Sequence, residues 1–395
     1  MIREKLMHSP DSSSGTVTEK TVLLLCAAGI GALEYFAPRI PLFPWLKPGL
    51  ANAVTIVWLL RYGYVDTVMF LFLRVWIVGF FFGFSFFTSV LGLSGGLAAA
   101  TVMAIMWRLL GQKGVVGLMG ISITGAVLHN LTQLGVVYLL MDTNPVLFRQ
   151  IPIMVPVAAV TGTIVAILAK LFHDSIDAVS VQPNLRSRAQ MQSAGMLNTV
   201  VCIALLIGCM ALAPVRDFRL LGGAALAISV AVQFVEKGSP RAFFFPVTRF
   251  WMMFFFIGAF HLFFTMGTRI PHLPFATIEG LNGATAQWLK LWTWLQATFI
   301  FRRFGFHLVA FRALHRLFRN KESTLMAGLL ALEHFPTVVE AARKEGAPLL
   351  KTVIRKPSRA VTKLLQIVSE IMKSEPTGLE EKNVERGSQG AGTSG

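Results

Sequence analysis

The chain has 395 residues, of which 54% are hydrophobic and 14% charged, with a formal net charge of +16. Several apolar stretches approach or exceed the roughly 20 residues needed to cross a hydrocarbon core, which excludes a soluble globular protein and predicts an all-α, polytopic membrane protein. The three cysteines, Cys26, Cys202 and Cys209, lie in apolar stretches without paired ligand spacing and read as small buried hydrophobes.

In chain order, residues 1–20 form a polar leader without the short apolar core or cleavage site of a secretory signal peptide, and are read as a cytoplasmic tail. Membrane segments are predicted at 21–36, 50–60, 65–90, 91–110, 115–141 and 151–172, one six-segment module over 21–172. The second is too short to cross as a straight helix, which predicts a tilted or partly re-entrant element sheltered by its neighbours. Residues 173–193, with Arg186 and Arg188, read as a cytoplasmic linker.

A second module is predicted over 194–346, with segments near 196–213, 220–235, 242–266 and 284–301. Residues 306–319 are amphipathic: Leu308, Phe311, Leu314 and Phe318 share one face, and Arg312, Arg316 and Arg319 line another. This helix suits either a docked partner or anionic lipid. The stretch 326–343 continues the apolar period across Pro336, as a second coupling arm or a plain packing helix. Over 347–395 the sequence predicts a basic amphipathic helix at 357–373, suited to a membrane surface, then a disordered tail rich in Glu, Gly and Ser.

Loop charges give the orientation. With the N-terminus inside, Arg61, Arg108 with Lys113, Lys170 with Arg186 and Arg188, and Arg302 with Arg303 fall on the cytoplasmic side of an inner membrane, while Arg39, Lys47 and Arg149 run against the bias. The positive charge suits anionic lipid or an acidic partner. Nucleic acid is not expected, because the basic residues flank spans and no aromatic platform accompanies them.

His129, Asn130 and Gln133 sit in the middle of an apolar segment, where polar side chains face a protein interior or a wet cavity. His129 and Gln133 share a helix face and Asn130 lies about 100° round the axis. They either line a ligand site or bond neighbouring helices. Arg74, inside the third segment, needs an anion, carbonyls or water, and Glu34 in the first segment is the obvious counter-charge. A structural pair and an anion site both fit. Lys47, Gly49 and Asn52 precede the short second segment, as a loop that closes over a ligand or as a tight connector with a capping amide.

Ser94, Gly95 and Gly96 lack the ending of a Walker A motif, which is absent throughout, so they read as small residues for close helix packing. The aspartates are scattered rather than clustered for magnesium diphosphate, and the chain is not expected to be an enzyme.

The ordered set Leu33-Glu34, Lys47-Pro48-Gly49-Leu50-Ala51-Asn52, Leu73-Arg74, Ser94-Gly95-Gly96 and His129-Asn130-Leu131-Thr132-Gln133 resembles the membrane family labelled heptaprenyl diphosphate synthase component I, also called the Gx transporter family. That family is similar in architecture to the substrate-binding S components of energy-coupling-factor (ECF) transporters. The resemblance covers roughly residues 22–172. It implies a six-helix module that captures a small molecule, with Glu34, Lys47, Asn52, Arg74, His129, Asn130 and Gln133 as candidate substrate-binding residues.

The second half resembles the transmembrane T component of those transporters, the CbiQ or EcfT type, through Thr277-Ile278-Glu279-Gly280-Leu281, Phe311-Arg312-Ala313-Leu314-His315-Arg316-Leu317, and the stretch from Leu329 to Arg343. It departs from that pattern twice: the Ala-Arg-Gly signature is not intact after Ala342-Arg343, and no span follows. The resemblance implies coupling to a separate ATP-binding-cassette (ABC-type) ATPase through Arg312, Arg316, Arg319, Glu340 and Arg343. ATP and magnesium would then be used by that subunit, with no cofactor in this chain. The expected function is a membrane subunit of an ECF-type importer that combines substrate capture with energy coupling. The alternative is a membrane component associated with heptaprenyl or isoprenoid diphosphate biosynthesis.

Overall fold

The computed structural model describes residues 13–36, 49–82, 86–140, 145–176, 195–271, 273–318 and 321–373. These residues are almost all helical. Helix α1 (Ser13–Phe36) begins ahead of the predicted span, which corrects the leader reading for residues 13–20. Thr18 and Lys20 are buried, and Lys20 is paired with Asp66 and donates to the Thr324 hydroxyl. From Val22 to Ala28 no side chain is more than 1% exposed, so α1 is the axis around which its neighbours pack.

Helix α2 (Asn52–Phe82) reverses at Gly63, whose φ of 82° only glycine adopts freely. Trp58 stacks on Phe70 with centroids 4.5 Å apart, and Arg74 reaches Asn52 at 3.3 Å. Those pairs would lie about 18 and 33 Å apart along a straight helix, so α2 is a hairpin with arms 52–62 and 64–82. The predicted second and third segments are these two arms. The short one turns back instead of crossing, sheltered by its partner.

The third predicted segment is also longer than the arm it describes: α2 ends at Phe82 and α3 (Phe86–Met106) begins before the predicted boundary at 90/91. A π-helical turn, Trp107–Gly111, closes α3. Helix α4 (Leu118–Leu140), a 3₁₀ turn (Pro145–Gln150) and α5 (Ile151–Ile176) complete the first half. Glycine sets the closeness of these helices. A Cβ on Gly162 would come within 2.7 Å of the Ile123 backbone, so α4 and α5 touch main chain to main chain.

Helices α6 (Met196–Ala211), α7 (Phe218–Val235) and α8 (Pro240–Phe264) follow, then a short hairpin of β1 (Arg269–Ile270) and β2 (Leu273–Thr277) that the sequence reading did not contain. The α8 rod bends by 51° between 248 and 250, just past Pro246. Helix α9 (Ile278–Arg303) packs on α7 and α8, with Leu291, Trp294, Leu295 and Phe301 fully buried. Trp294 stacks on Phe87 of α3 at 5.9 Å, joining the two halves.

Among the described residues, α2, α3, α4, α5 and α7 contain stretches long and apolar enough to cross a membrane, and α8 adds a sixth if its two bent arms form one span. In α2 that stretch, Asn52–Gly79, runs through the reversal at Gly63. The chain is a polytopic helical membrane protein.

After α10 (Phe306–Leu317), helices α11 (Glu322–Arg355) and α12 (Pro357–Lys373) return to the first half. Helix α11 lies along α1 and touches α2, while α12 packs on α11, α5 and α1. Leu325, Ala331, Phe335 and Val338 of α11 share one core with α1, as do Val361, Leu365 and Val368 of α12. This corrects the membrane-surface reading of 357–373, because protein occupies its apolar face. The 326–343 stretch continues helically through Pro336, with Leu330, Ala331, Phe335 and Val338 buried. The linker at 173–193 contributes four residues to the end of α5. Its remainder and the tail from Ser374 lie outside the described residues.

Candidate ligand cavity

A small, largely apolar cavity with several polar groups in its wall opens between the first arm of α2 and helices α3, α4 and α5. Asn52, Ser122, His129, Asn130 and Thr161 supply its polar lining, among apolar side chains such as Ile56 and Met103. About 20 Å³ is open to the centre of a water-sized sphere, room for about one water molecule.

Local structure places each wall residue. The Asn52 N–H closes a turn on the Gly49 carbonyl at 2.9 Å, and Gly49 enters it with a φ of 70°, which glycine adopts freely. The Leu50 N–H donates to the Glu34 carboxylate, tying the end of α1 to the start of α2. Ser122 and His129 are seven residues apart, two turns along one face of α4. The Ser122 hydroxyl donates to the Gly162 carbonyl at 2.7 Å, and the Thr161 hydroxyl to the Ala158 carbonyl at 3.2 Å.

Arg74 stands behind this wall. Its guanidinium donates to Asn52 Oδ1 at 3.3 Å and to Thr55 Oγ1 at 3.2 Å, and Glu34 attracts it electrostatically. Gln133 donates to the Leu91 carbonyl at 3.4 Å, a bond between α4 and α3. A Cβ on Gly95 would meet the His129 ring at 2.9 Å and Gln133 Cγ at 3.0 Å. Close packing therefore accounts for this glycine of the Ser94-Gly95-Gly96 stretch.

Of the predicted substrate-binding residues, Asn52, His129 and Asn130 line the cavity. Glu34 and Arg74 support Asn52, and Gln133 ties two helices. Lys47 lies outside the described residues. Ser122, Thr161 and Thr55 were missed. The seven-residue step from Ser122 to His129 was the available signal for one of them.

Compared with known families, the chain matches over one stretch. Residues 23–172 match the family described as heptaprenyl diphosphate synthase component I. The match runs from within α1 to near the end of α5, so the component I region contains every residue that lines the cavity. No curated protein and no solved structure matches the chain.

At the other end of the component I region lies a buried charged knot that the sequence reading did not contain. Asp66, near the α2 reversal, accepts from Lys20 at 3.0 Å, from Lys321 at 2.5 Å and from the Thr324 hydroxyl at 2.6 Å. Lys20 also donates to Ser323 at 2.9 Å and Thr324 at 2.8 Å. Ser323 and Thr324 belong to the first turn of α11, where helix polarity favours the Asp66 carboxylate. Nearby, Arg61 pairs with Glu19 at 2.7 Å and reaches the His173 carbonyl at 3.3 Å.

The predicted coupling residues are spread over α10 and α11. Arg312 is half-buried and Arg316 exposed, while Arg319 lies outside the described residues. Glu340 is exposed and pairs with Lys344 at 2.9 Å, and Arg343 belongs to α11.

Proposed function

We propose that this chain is a membrane subunit of an ECF-type importer, capturing an uncharacterised small molecule in the component I region. The observation that carries this reading is the cavity. Asn52, His129 and Asn130, from motifs 77 residues apart in sequence, meet there within a helical membrane bundle. Polar groups at such depth are costly unless they serve a site or one another.

Energy would come from a separate ABC-type ATPase docked on the basic face of α10, using its own ATP and magnesium. The N-terminus and Arg61 would face the cytoplasm of an inner membrane, following the loop-charge bias. Exposed apolar side chains on α6 to α8, among them Met196, Phe234, Trp251 and Phe255, suit lipid contact.

Affinity purification of the full chain from native membranes tests the coupling. Wild type should retain an ABC-type ATPase, and Arg316→Glu should reduce its recovery about tenfold while membrane insertion persists. Unchanged recovery from Arg316→Glu, or no ATPase with wild type, contradicts docking on α10. The family description favours a second reading, a membrane component associated with heptaprenyl or isoprenoid diphosphate biosynthesis. Recovery of a prenyl diphosphate synthase chain in place of an ATPase would favour it.

A further inference from the structure

We infer that the cavity selects a small uncharged molecule bearing both a hydrogen-bond donor and an acceptor, of the amide, urea or alcohol type, over anions and amine cations. This deepens the capture reading and rests on it.

Arg74 can only donate, so its bond to Asn52 Oδ1 fixes that amide and leaves the Asn52 NH₂ as the group presented elsewhere. Asn52 therefore asks its ligand for an acceptor. Ser122 and Thr161 have each spent their hydroxyl proton on a backbone carbonyl, and only oxygen lone pairs remain. These two ask for donors. Asn130 can answer either need.

Charge points the same way. Among the described residues, no carboxylate, ammonium or guanidinium lines the cavity, and its one titratable side chain is the imidazole of His129. The guanidinium behind Asn52 is already engaged by Asn52 and Thr55 and faced by Glu34. A carboxylate or phosphate would meet the lone pairs of Ser122 and Thr161 with no ammonium or guanidinium in the wall to offset it, and a buried charge without compensation is strongly disfavoured. A cation would meet the Asn52 NH₂ and no carboxylate. A neutral donor-acceptor molecule satisfies both sides. The present room suits a molecule the size of water, so a larger ligand of the same polarity enters as the helices separate.

The test places a thiol in the wall with Ala126→Cys, which leaves the polar groups intact, in the full chain. The native cysteines are buried and serve as the wild-type background. Modification by a small methanethiosulfonate is timed with acetamide, acetate, ethylammonium or pyrophosphate present. Acetamide should slow modification about threefold or more once it exceeds twice its dissociation constant. The charged probes should have little effect, and Asn52→Leu should abolish the acetamide effect. Protection by acetate, ethylammonium or pyrophosphate equal to that by acetamide overturns the inference and leaves capture standing, as does a lack of acetamide protection at a reactive thiol. A thiol that reacts only after denaturation overturns capture as well.

Discussion

At the scale of single residues, one amide and two glycines control the site. Asn52 joins the charged pair behind the wall to the cavity in front of it, while Gly95 and Gly162 let the helices come close enough to enclose it. Gly162→Ala should lower the melting temperature in detergent, since overpacking of this kind costs about 1–3 kcal/mol and here the obstacle is the backbone of Ile123. Gly135→Ala, in α4 with nothing near its added carbon, should be neutral or slightly stabilising and is the control. Equal melting of the two variants would show that the close approach is not tight. The sequence made His129 and Asn130 legible because polar groups in an apolar run stand out. Ser122 and Thr161 were not, since hydroxyls can bond to their own helix and look unremarkable in any span.

At the scale of elements, the α2 hairpin connects the two ends of the first bundle. Its open end gives Asn52 to the cavity, and the residues beyond its reversal give Asp66 to the knot. The length of the 50–60 stretch foretold a short sheltered element. The fold-back itself depends on the conformation of Gly63 and on pairs such as Trp58 with Phe70, which hydropathy does not encode. Gly63→Val, forced into positive φ, should cost about 1–3 kcal/mol, measured as a lower melting temperature. Asp66→Ala strands the buried Lys20 ammonium and should cost about 3–5 kcal/mol. The same variant should expose the first turn of α11 to limited proteolysis. An unchanged cleavage pattern would mean that apolar packing alone holds α11 in place. Because Lys20, Asp66 and Thr324 are up to 304 residues apart, no local pattern announced the knot.

At the scale of the whole molecule, the order of the chain and the order of packing differ. The predicted boundary at 173–193 separates two hydrophobic runs, yet 322–373 builds onto the bundle containing the component I region. Periodicity located α12 to the residue, because its buried face repeats every three to four positions. It could not say that α1, α5 and α11 would cover that face in place of lipid. A chain ending at 318 would uncover α1 and should fail to accumulate as a monodisperse species in detergent, judged by size-exclusion chromatography. Normal elution of that truncation would contradict the packing role given to α11 and α12. The central claim is that the Asn52, His129 and Asn130 cavity holds a small molecule, and native mass spectrometry of the full chain from its own membranes in mild detergent tests it most directly. Wild type should carry a bound mass that is lost when Asn52 and Asn130 are both replaced by leucine, while the folded chain survives. A wild-type chain without any bound mass, or a bound mass indifferent to those substitutions, would contradict it.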